Sequence, residues 1–381
     1  MLTFLLRRVC RVMLLPLLIL SAMVGSLVLL VLALVCTSVG ALEFYRLKVA
    51  RVIAEYWFSF GACLLEACGT EIEVPVMDLS SDRIVVLMNH NNRVDWMFFW
   101  CILARCGRCG DVCVVLKDSL KKVPFFGWAM QAFCFVFLSR KSKHTDLSRI
   151  SLLRRNRKSK CVLLVYPEGT DLSESNVAKS QAFAKTKGLE PWKNVLIPKI
   201  EGARAAIAAL KPSIVVDVTV RFDSQTRPTE VDLLLRGKVP KKVIYRCRTF
   251  QAKDVPSGDK SLFEKWLMEL WADKELFLEK DINAYEAWTK THWATKDSDR
   301  LKDDTNKNFK IMPLPMKAYV KTFVVNAASV SLFTWALFFR QQASDFRLFC
   351  LCLCGLWHTI TIVLGGLDNI LQAPALEKIT L

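Results

Sequence analysis

Between Ser81 and about Phe250, short β-branched and apolar runs alternate with segments of helical period, and this alternation constrains the fold more than any other feature of the chain. The strand-like runs are Ile84–Met88, Val112–Leu116, Val162–Tyr166, Val195–Ile197, Ile214–Phe222, Val231–Leu235 and Val243–Arg246. The helical pieces are Trp96–Ala104, Phe125–Phe133, Ser175–Lys187 and Ala203–Leu210. Strands that alternate with helices predict an α/β domain, a mostly parallel sheet flanked by helices. Such sheets bind ligands outside the carboxyl ends of their strands, so the residues that follow each run are the ones to read for chemistry.

The first run delivers Asn89-His90-Asn91-Asn92-Arg93-Val94-Asp95. A histidine just past a strand end can take a proton through one ring nitrogen, while a carboxylate five residues on, after one tight turn, folds back to the other. The same residues also make good turn chemistry, with Asp95 as a helix cap. On spacing alone both readings stand. The second run leads into Lys117-Asp-Ser-Leu-Lys121, and the next apolar stretch ends in Phe137-Leu-Ser-Arg140. A lysine and an arginine so placed can hold a phosphate, one as a point charge and the other as a planar fork. The third run ends in Pro167-Glu168-Gly169-Thr170-Asp171, where a glycine lets a ligand approach the backbone closely, although an ordinary turn has the same composition.

Apolar segments flank this region. Met13–Val35 carries no charged residue and, at about 23 residues or about 34 Å of helix, can cross a hydrocarbon core. A retained anchor is preferred to a secretory signal cleaved near Val39-Gly40-Ala41, whose apolar part would be unusually long. Val49–Cys68 reads as a helix lying at a membrane interface with its aromatic face down, because Glu55 and Glu66 oppose a second crossing. Thr322–Phe339 and Leu348–Gly366 are two further apolar runs, open to reading as a transmembrane hairpin or as embedded or core helices. Asp259–Asp304, charged and bearing Trp266, Trp271, Trp288 and Trp293, reads as amphipathic helices that wrap the domain or lie on a membrane.

The formal charge of +17 favours an anionic partner. The basic stretch Arg149–Lys160 lacks the interleaved aromatics or recognition module of a nucleic-acid patch and reads as a solvated helix end, so nucleic acid is excluded as the expected partner. Cys106, Cys109 and Cys113 are spaced for zinc, but no second ligand pair follows and no metal is expected. The 14 cysteines show no disulfide framework, as suits a catalytic domain facing a reducing compartment.

Taken together, Asn89-His90-x4-Asp95, the block Lys117-x2-Leu120-Lys121-x2-Pro124-x2-Gly127-Trp128 with Phe137-Leu138-Ser139-Arg140, then Tyr166-Pro-Glu-Gly-Thr170, and last Leu196-Ile-Pro198-Lys199, occur in the order of the four motif blocks of the glycerolipid acyltransferases. The chain resembles that family over about Arg83–Pro198, and most of all its eukaryotic lysophosphatidate and lysocardiolipin branch. Many relatives have Arg after Glu-Gly-Thr where this chain has Asp171, which shifts the phosphate-binding role toward Lys117, Arg140 and Lys121. The resemblance implies a glycerolipid acyltransferase fold in segments: an anchor and interfacial helix (1–70), the α/β domain (71–258), a charged, Trp-rich helical extension (259–316) and a C-terminal hydrophobic hairpin (317–381). It implies transfer of an acyl group from acyl-CoA, a co-substrate with no further cofactor, to the sn-2 hydroxyl of lysophosphatidate. His90 and Asp95 would be catalytic, and Lys117, Lys121, Arg140, Glu168, Gly169 and Thr170 would bind substrate. Lysocardiolipin, lysophosphatidylglycerol or lysophosphatidylinositol are the alternative acceptors, and a non-catalytic membrane-shaping scaffold is the alternative of another class. The endoplasmic reticulum is the expected membrane, with a mitochondria-associated or other endomembrane as the alternative.

Overall fold

The computed structural model describes all residues except 1, 75–76, 78, 152, 154–159, 224–228, 281–309, 312–313, 339–342, 364–365 and 368–381. Most of the basic stretch Arg149–Lys160, the extension beyond Lys280 with Trp288 and Trp293, and the link between the two C-terminal apolar runs therefore lie outside the described residues. The strands in chain order are β1 (Glu71–Val74), β2 (Arg83–Met88), β3 (Val112–Lys117), β4 (Val136–Leu138), β5 (Cys161–Val165), β6 (Ile214–Phe222), β7 (Lys242–Gln251) and β8 (Lys310–Ile311). The chain forms two compact units: Met1–Cys68 with Trp100–Cys161 and Leu314–Leu381, and Gly69–Phe99 with Val162–Pro313. The α/β domain expected over 71–258 is divided between them.

In the second unit the sheet runs β5-β2-β6-β7-β1-β8. The β2–β6 and β1–β7 pairs are parallel, as the strand and helix alternation predicts, while β6–β7 and β1–β8 are antiparallel. Residues Ile84–Met88 of β2 are all buried, which is why this strand is apolar at every position instead of alternating. The expected strands at Ile84, Val162, Ile214 and Val243 are all present, and the first three match within a residue at each end. Two others are not strands. Val195–Ile197 is irregular because its backbone N–H groups are taken by side chains: Val195 donates to Glu275 Oε2 (3.0 Å), Leu196 to Glu168 Oε2 (3.3 Å) and Ile197 to Ser180 Oγ (3.0 Å). Val231–Leu235 is a wide helical turn, opened by a reciprocal cap in which Asp232 N donates to Thr229 Oγ1 (3.0 Å) and that hydroxyl donates to Asp232 Oδ2 (2.8 Å).

The helix Lys260–Glu279 begins where Asp259 accepts from the Leu262 N–H (2.9 Å). It buries Phe263, Leu267, Leu270, Trp271 and Phe277, so this part of the Trp-bearing extension belongs to the domain's interior. Beneath it lies a polar layer. Asp217 and Thr219 alternate on one face of β6, Arg246 and Arg248 stand opposite them on β7, and Asp273 and Lys274 come down from the helix.

In the first unit, the helix Leu2–Ser38 continues through Pro16 and packs against Phe126–Ala132 and against the helices Ala50–Ala67, Met316–Phe338 and Ala343–Val363. Among the described residues, Arg7–Ser38 and Ser344–Val363 are helices long and apolar enough to cross a membrane. Ala50–Ala67 departs from the expected interfacial helix. Its Trp57, Phe58 and Phe60 are buried, Phe58 lying 4.9 Å from Trp100 and Phe60 5.2 Å from Phe323. Its carboxylates are not solvated either: Glu55 accepts from the Gly110 N–H (2.6 Å), and Glu66 pairs with Arg105 (2.5 Å) and accepts from Tyr319 (3.2 Å). The aromatic face is therefore a core face, and the acids inside it serve as its hydrogen-bond anchors.

Candidate active site

β2 ends at Met88, and the side-chain amide of Asn89 pins that end by bonding both backbone groups of Val220 on β6 (2.8 and 3.2 Å). His90 follows, with its Nδ1 3.2 Å from Asp95 Oδ2. Asp95 is fully buried, and the His90 side chain is 18 % exposed. The same Asp95 oxygen accepts from the Asn92 N–H (3.0 Å), and Asp95 opens the helix Asp95–Arg105. One carboxylate thus both closes the turn and holds the imidazole. With Nδ1–H directed at a carboxylate, Nε2 is the acceptor nitrogen, and it makes no hydrogen bond among the described residues.

Glu168 is the hub of the site. It is 2 % exposed, and its Oε1 accepts from the His90 N–H (3.2 Å) and from the Trp271 indole (3.1 Å), while Oε2 accepts from the Leu196 N–H (3.3 Å). Tyr166 stacks on the His90 ring at 4.2 Å between centroids. Neither Trp271 nor Tyr166 was expected at the site. Trp271 lies far along the chain, but Tyr166 is adjacent to the Pro-Glu-Gly-Thr turn and legible from it. Gly169 has φ +74°, a conformation that favours glycine. The Thr170 hydroxyl bonds to Asp171 (3.3 Å) and accepts from Asn176 (3.0 Å), and Asp171 faces Arg93, which also pairs with Glu230 (2.9 Å).

The second unit therefore brings together His90, Asp95, Glu168, Gly169 and Thr170. Lys117, Lys121 and Arg140 belong to the first. There β3 and β4 run parallel with Lys117 opposite Leu138, so Lys117 and Arg140 leave the same end of a strand pair. Arg140 has φ +59° and is held there by Asp146, whose two oxygens accept from the Ser139 and Arg140 N–H groups (2.8 Å each). Both basic side chains are exposed. Lys121 is buried, pairs with Asp118 (3.2 Å) and lies over the Phe137 ring (5.0 Å), so its ammonium is already committed within the protein. Among the described residues no group of three or more His, Cys, Asp or Glu is placed to hold a metal. Cys109 and Cys113 are buried with their sulfurs on the carbonyls of Trp100 (3.7 Å) and Cys134 (3.8 Å).

Burial works against a charged imidazole, but the hydrogen bond and charge of Asp95, with Glu168 and Asp171 behind it, outweigh burial and raise the His90 pKa above the ordinary histidine value. Burial pushes Glu168 up to about 7 against the three donors that favour its anion. A base that must be neutral to act then gives a rate that falls with acid through the raised His90 pKa. Glu168→Gln removes a charge that favours the imidazolium, so the acid limb of kcat/KM should move to lower pH in this variant. A pH–rate profile of the wild type and the variant checks the direction.

A family model described as Acyltransferase matches residues 71–215. The chain is 34% identical over 244 residues to "Lysocardiolipin acyltransferase 1" of Danio rerio, covering 62% of this chain and 62% of that relative. It is 32% identical over 305 residues to the Mus musculus protein of the same name, covering 78% of this chain and 75% of the relative. To "2-acyl-1-lysophosphatidylinositol acyltransferase" of Saccharomyces cerevisiae it is 28% identical over 256 residues, covering 54% of this chain and 64% of that protein. The chain thus spans less than two thirds of the length of two of these three relatives.

Proposed function

Because the chain belongs to the glycerolipid acyltransferase family, we propose that it transfers an acyl group from acyl-CoA to a free hydroxyl of a lysophospholipid. The observation that carries this reading is the buried Asp95 carboxylate on His90 Nδ1, which leaves Nε2 as a proton acceptor at a strand end beside the Glu-Gly-Thr turn. In the reaction, Nε2 takes the hydroxyl proton as the oxygen attacks the thioester carbonyl. Asp95 stabilises the imidazolium, and collapse of the tetrahedral adduct expels CoA thiolate, which the imidazolium protonates. A thioester is already activated, so no covalent acyl-enzyme is needed. Gly169 and Thr170 would line the glycerol, while Lys117 and Arg140, in the first unit, would offer positive charge to a phosphate of either substrate. Glu168, with all its hydrogen bonds directed at protein groups, would position the His90 backbone, and Lys121 would support the phosphate-binding segment.

The motif blocks read a glycerol phosphate without distinguishing headgroups, and lysophosphatidate is the simplest acceptor they admit. The names of the relatives instead favour lysophospholipids with larger headgroups, lysocardiolipin or lysophosphatidylinositol, and one names a 2-acyl-1-lyso acceptor, so the sn-1 hydroxyl enters beside sn-2. The two apolar helices suit a membrane protein whose substrates are lipids, with the endoplasmic reticulum as the proposed membrane. The test presents purified, detergent-solubilised protein with acyl-CoA and a panel of lysophospholipids, each as 1-acyl and 2-acyl isomers, and resolves products by mass spectrometry. The expected result is a kcat/KM for lysocardiolipin or lysophosphatidylinositol about tenfold or more above that for lysophosphatidate, a modest discrimination for a binding pocket. The opposite ranking would restore lysophosphatidate, and no transfer to any acceptor would overturn the reading.

A further inference from the structure

The fourth motif block brings a cation to the turn that carries Glu168. Lys199 N–H donates to the Pro167 carbonyl (2.7 Å), and three residues earlier Leu196 N–H donates to Glu168, so the two loops are cross-linked at two points. The Lys199 ammonium lies across Gly169: a Cβ built on that glycine would come within 3.1 Å of Nζ. Gly169 thus meets two requirements, its positive φ and room for the lysine. Lys199 is exposed, and among the described residues its ammonium makes no hydrogen bond or ion pair. The neighbouring basic side chain Arg93 is divided between Asp171 and Glu230, and that contact with Asp171 also offsets the acid nearest the turn. What remains at the turn is an uncommitted point charge, one residue from the carboxylate that holds the His90 backbone.

We propose that Lys199 binds the phosphate of the acceptor lipid and thereby sets the distance of its reacting hydroxyl from His90 Nε2. The inference rests on the lysophospholipid reading and adds to it a phosphate ligand from the same unit as the base. Both substrates carry phosphate, but their lengths separate them. In a lysophospholipid only a few bonds lie between the hydroxyl and the phosphorus, whereas in acyl-CoA the whole pantetheine arm lies between the thioester and the nearest phosphate. A cation one residue from Glu168 is therefore placed for the acceptor. An ammonium on a four-carbon stem recognises phosphate as a point charge without demanding one headgroup geometry, and so tolerates both monoesters and diesters.

The experiment has two arms on the full chain in detergent. In the kinetic arm, Lys199→Gln should raise the acceptor KM by about tenfold or more, the scale of one lost charge-assisted hydrogen bond, and leave the acyl-CoA KM within about twofold. Lys199→Arg should recover most of the acceptor affinity, which separates lost charge from lost folding. In the second arm, which needs no turnover, the wild-type protein and His90→Ala are treated with an amine-acetylating ester with and without lysophosphatidate, and labelling of Lys199 is read by mass spectrometry. Protection of Lys199 in both proteins is expected. Unchanged acceptor KM in Lys199→Gln with no protection, or a loss confined to the acyl-CoA KM, would overturn the assignment. Protection without acyl transfer by the wild type would instead retain the phosphate site and reject the enzyme reading.

Discussion

Replacing His90 by alanine is expected to lower kcat by about 10²–10⁴-fold with little change in either KM, because the lost group acts on the transferring proton and not on ground-state binding. The variant should fold: the His90 side chain is partly exposed, its backbone N–H still meets Glu168, and Asp95 keeps the Asn92 N–H. Asp95→Asn should cost a comparable factor by a different route. An amide at this position can present its NH2 group to Nδ1, which favours the tautomer with the proton on Nε2 and so blocks the acceptor nitrogen. The two substitutions act on one unit, so the double variant should be little worse than either single one. Single-turnover rates with acyl-CoA and a lysophospholipid measure all three. A scaffold that remodels membranes equally well with and without Asp95 would show no such pattern in turnover.

The contrast between what the chain makes legible locally and what only the fold supplies follows from range. His90 and Asp95 are five residues apart and share one turn, so the spacing shows that they can meet, although on spacing alone a capped turn stands equally. The polar layer of β6 and β7 is also written locally, in the alternation Asp217, Thr219 and Arg246, Arg248, and Thr229-x-x-Asp232 is the signature of a helical turn in a run that otherwise reads as a strand. Trp271 and Glu275 carry no such signal. They reach Glu168 and the 193–195 backbone from one helical turn of a distant segment, and Glu275 thereby takes the Val195 N–H that a strand there would need. The aromatic helix 50–67 misleads for the same reason, since its composition suits an interface until Trp100, Phe133 and Phe135 are seen covering it.

Asp217→Ala should be a costly single change to the stability of the second unit. Arg248 donates Nε and Nη2 to Asp217 Oδ2 (3.0 and 2.6 Å), and Lys274 lies 2.6 Å from Oδ1, while Asp273 pairs with Arg246 and Arg248 (2.7 Å each). All five side chains are at most 5 % exposed. Three cations share two carboxylates, and removing Asp217 leaves three buried cations with one carboxylate. The expected cost is about 3–5 kcal/mol, as for other buried pairs broken on one side. The loss should depend on pH. Burial already depresses Lys274 to about 8 although Asp217 favours its charged form. Without Asp217 its folded pKa falls further, while the unfolded value stays near that of a free lysine. The unfolded chain then binds more protons than the folded one over a wider range, and the penalty that the alanine adds through Lys274 grows as pH falls through 8. At pH 9 Lys274 is mostly neutral in both folded proteins and that part of the difference vanishes. Denaturant midpoints of wild type and Asp217→Ala should therefore lie farther apart at pH 6 than at pH 9, and Lys274→Met, which removes the charge and keeps most of the stem, should narrow the gap at pH 6 in the double variant.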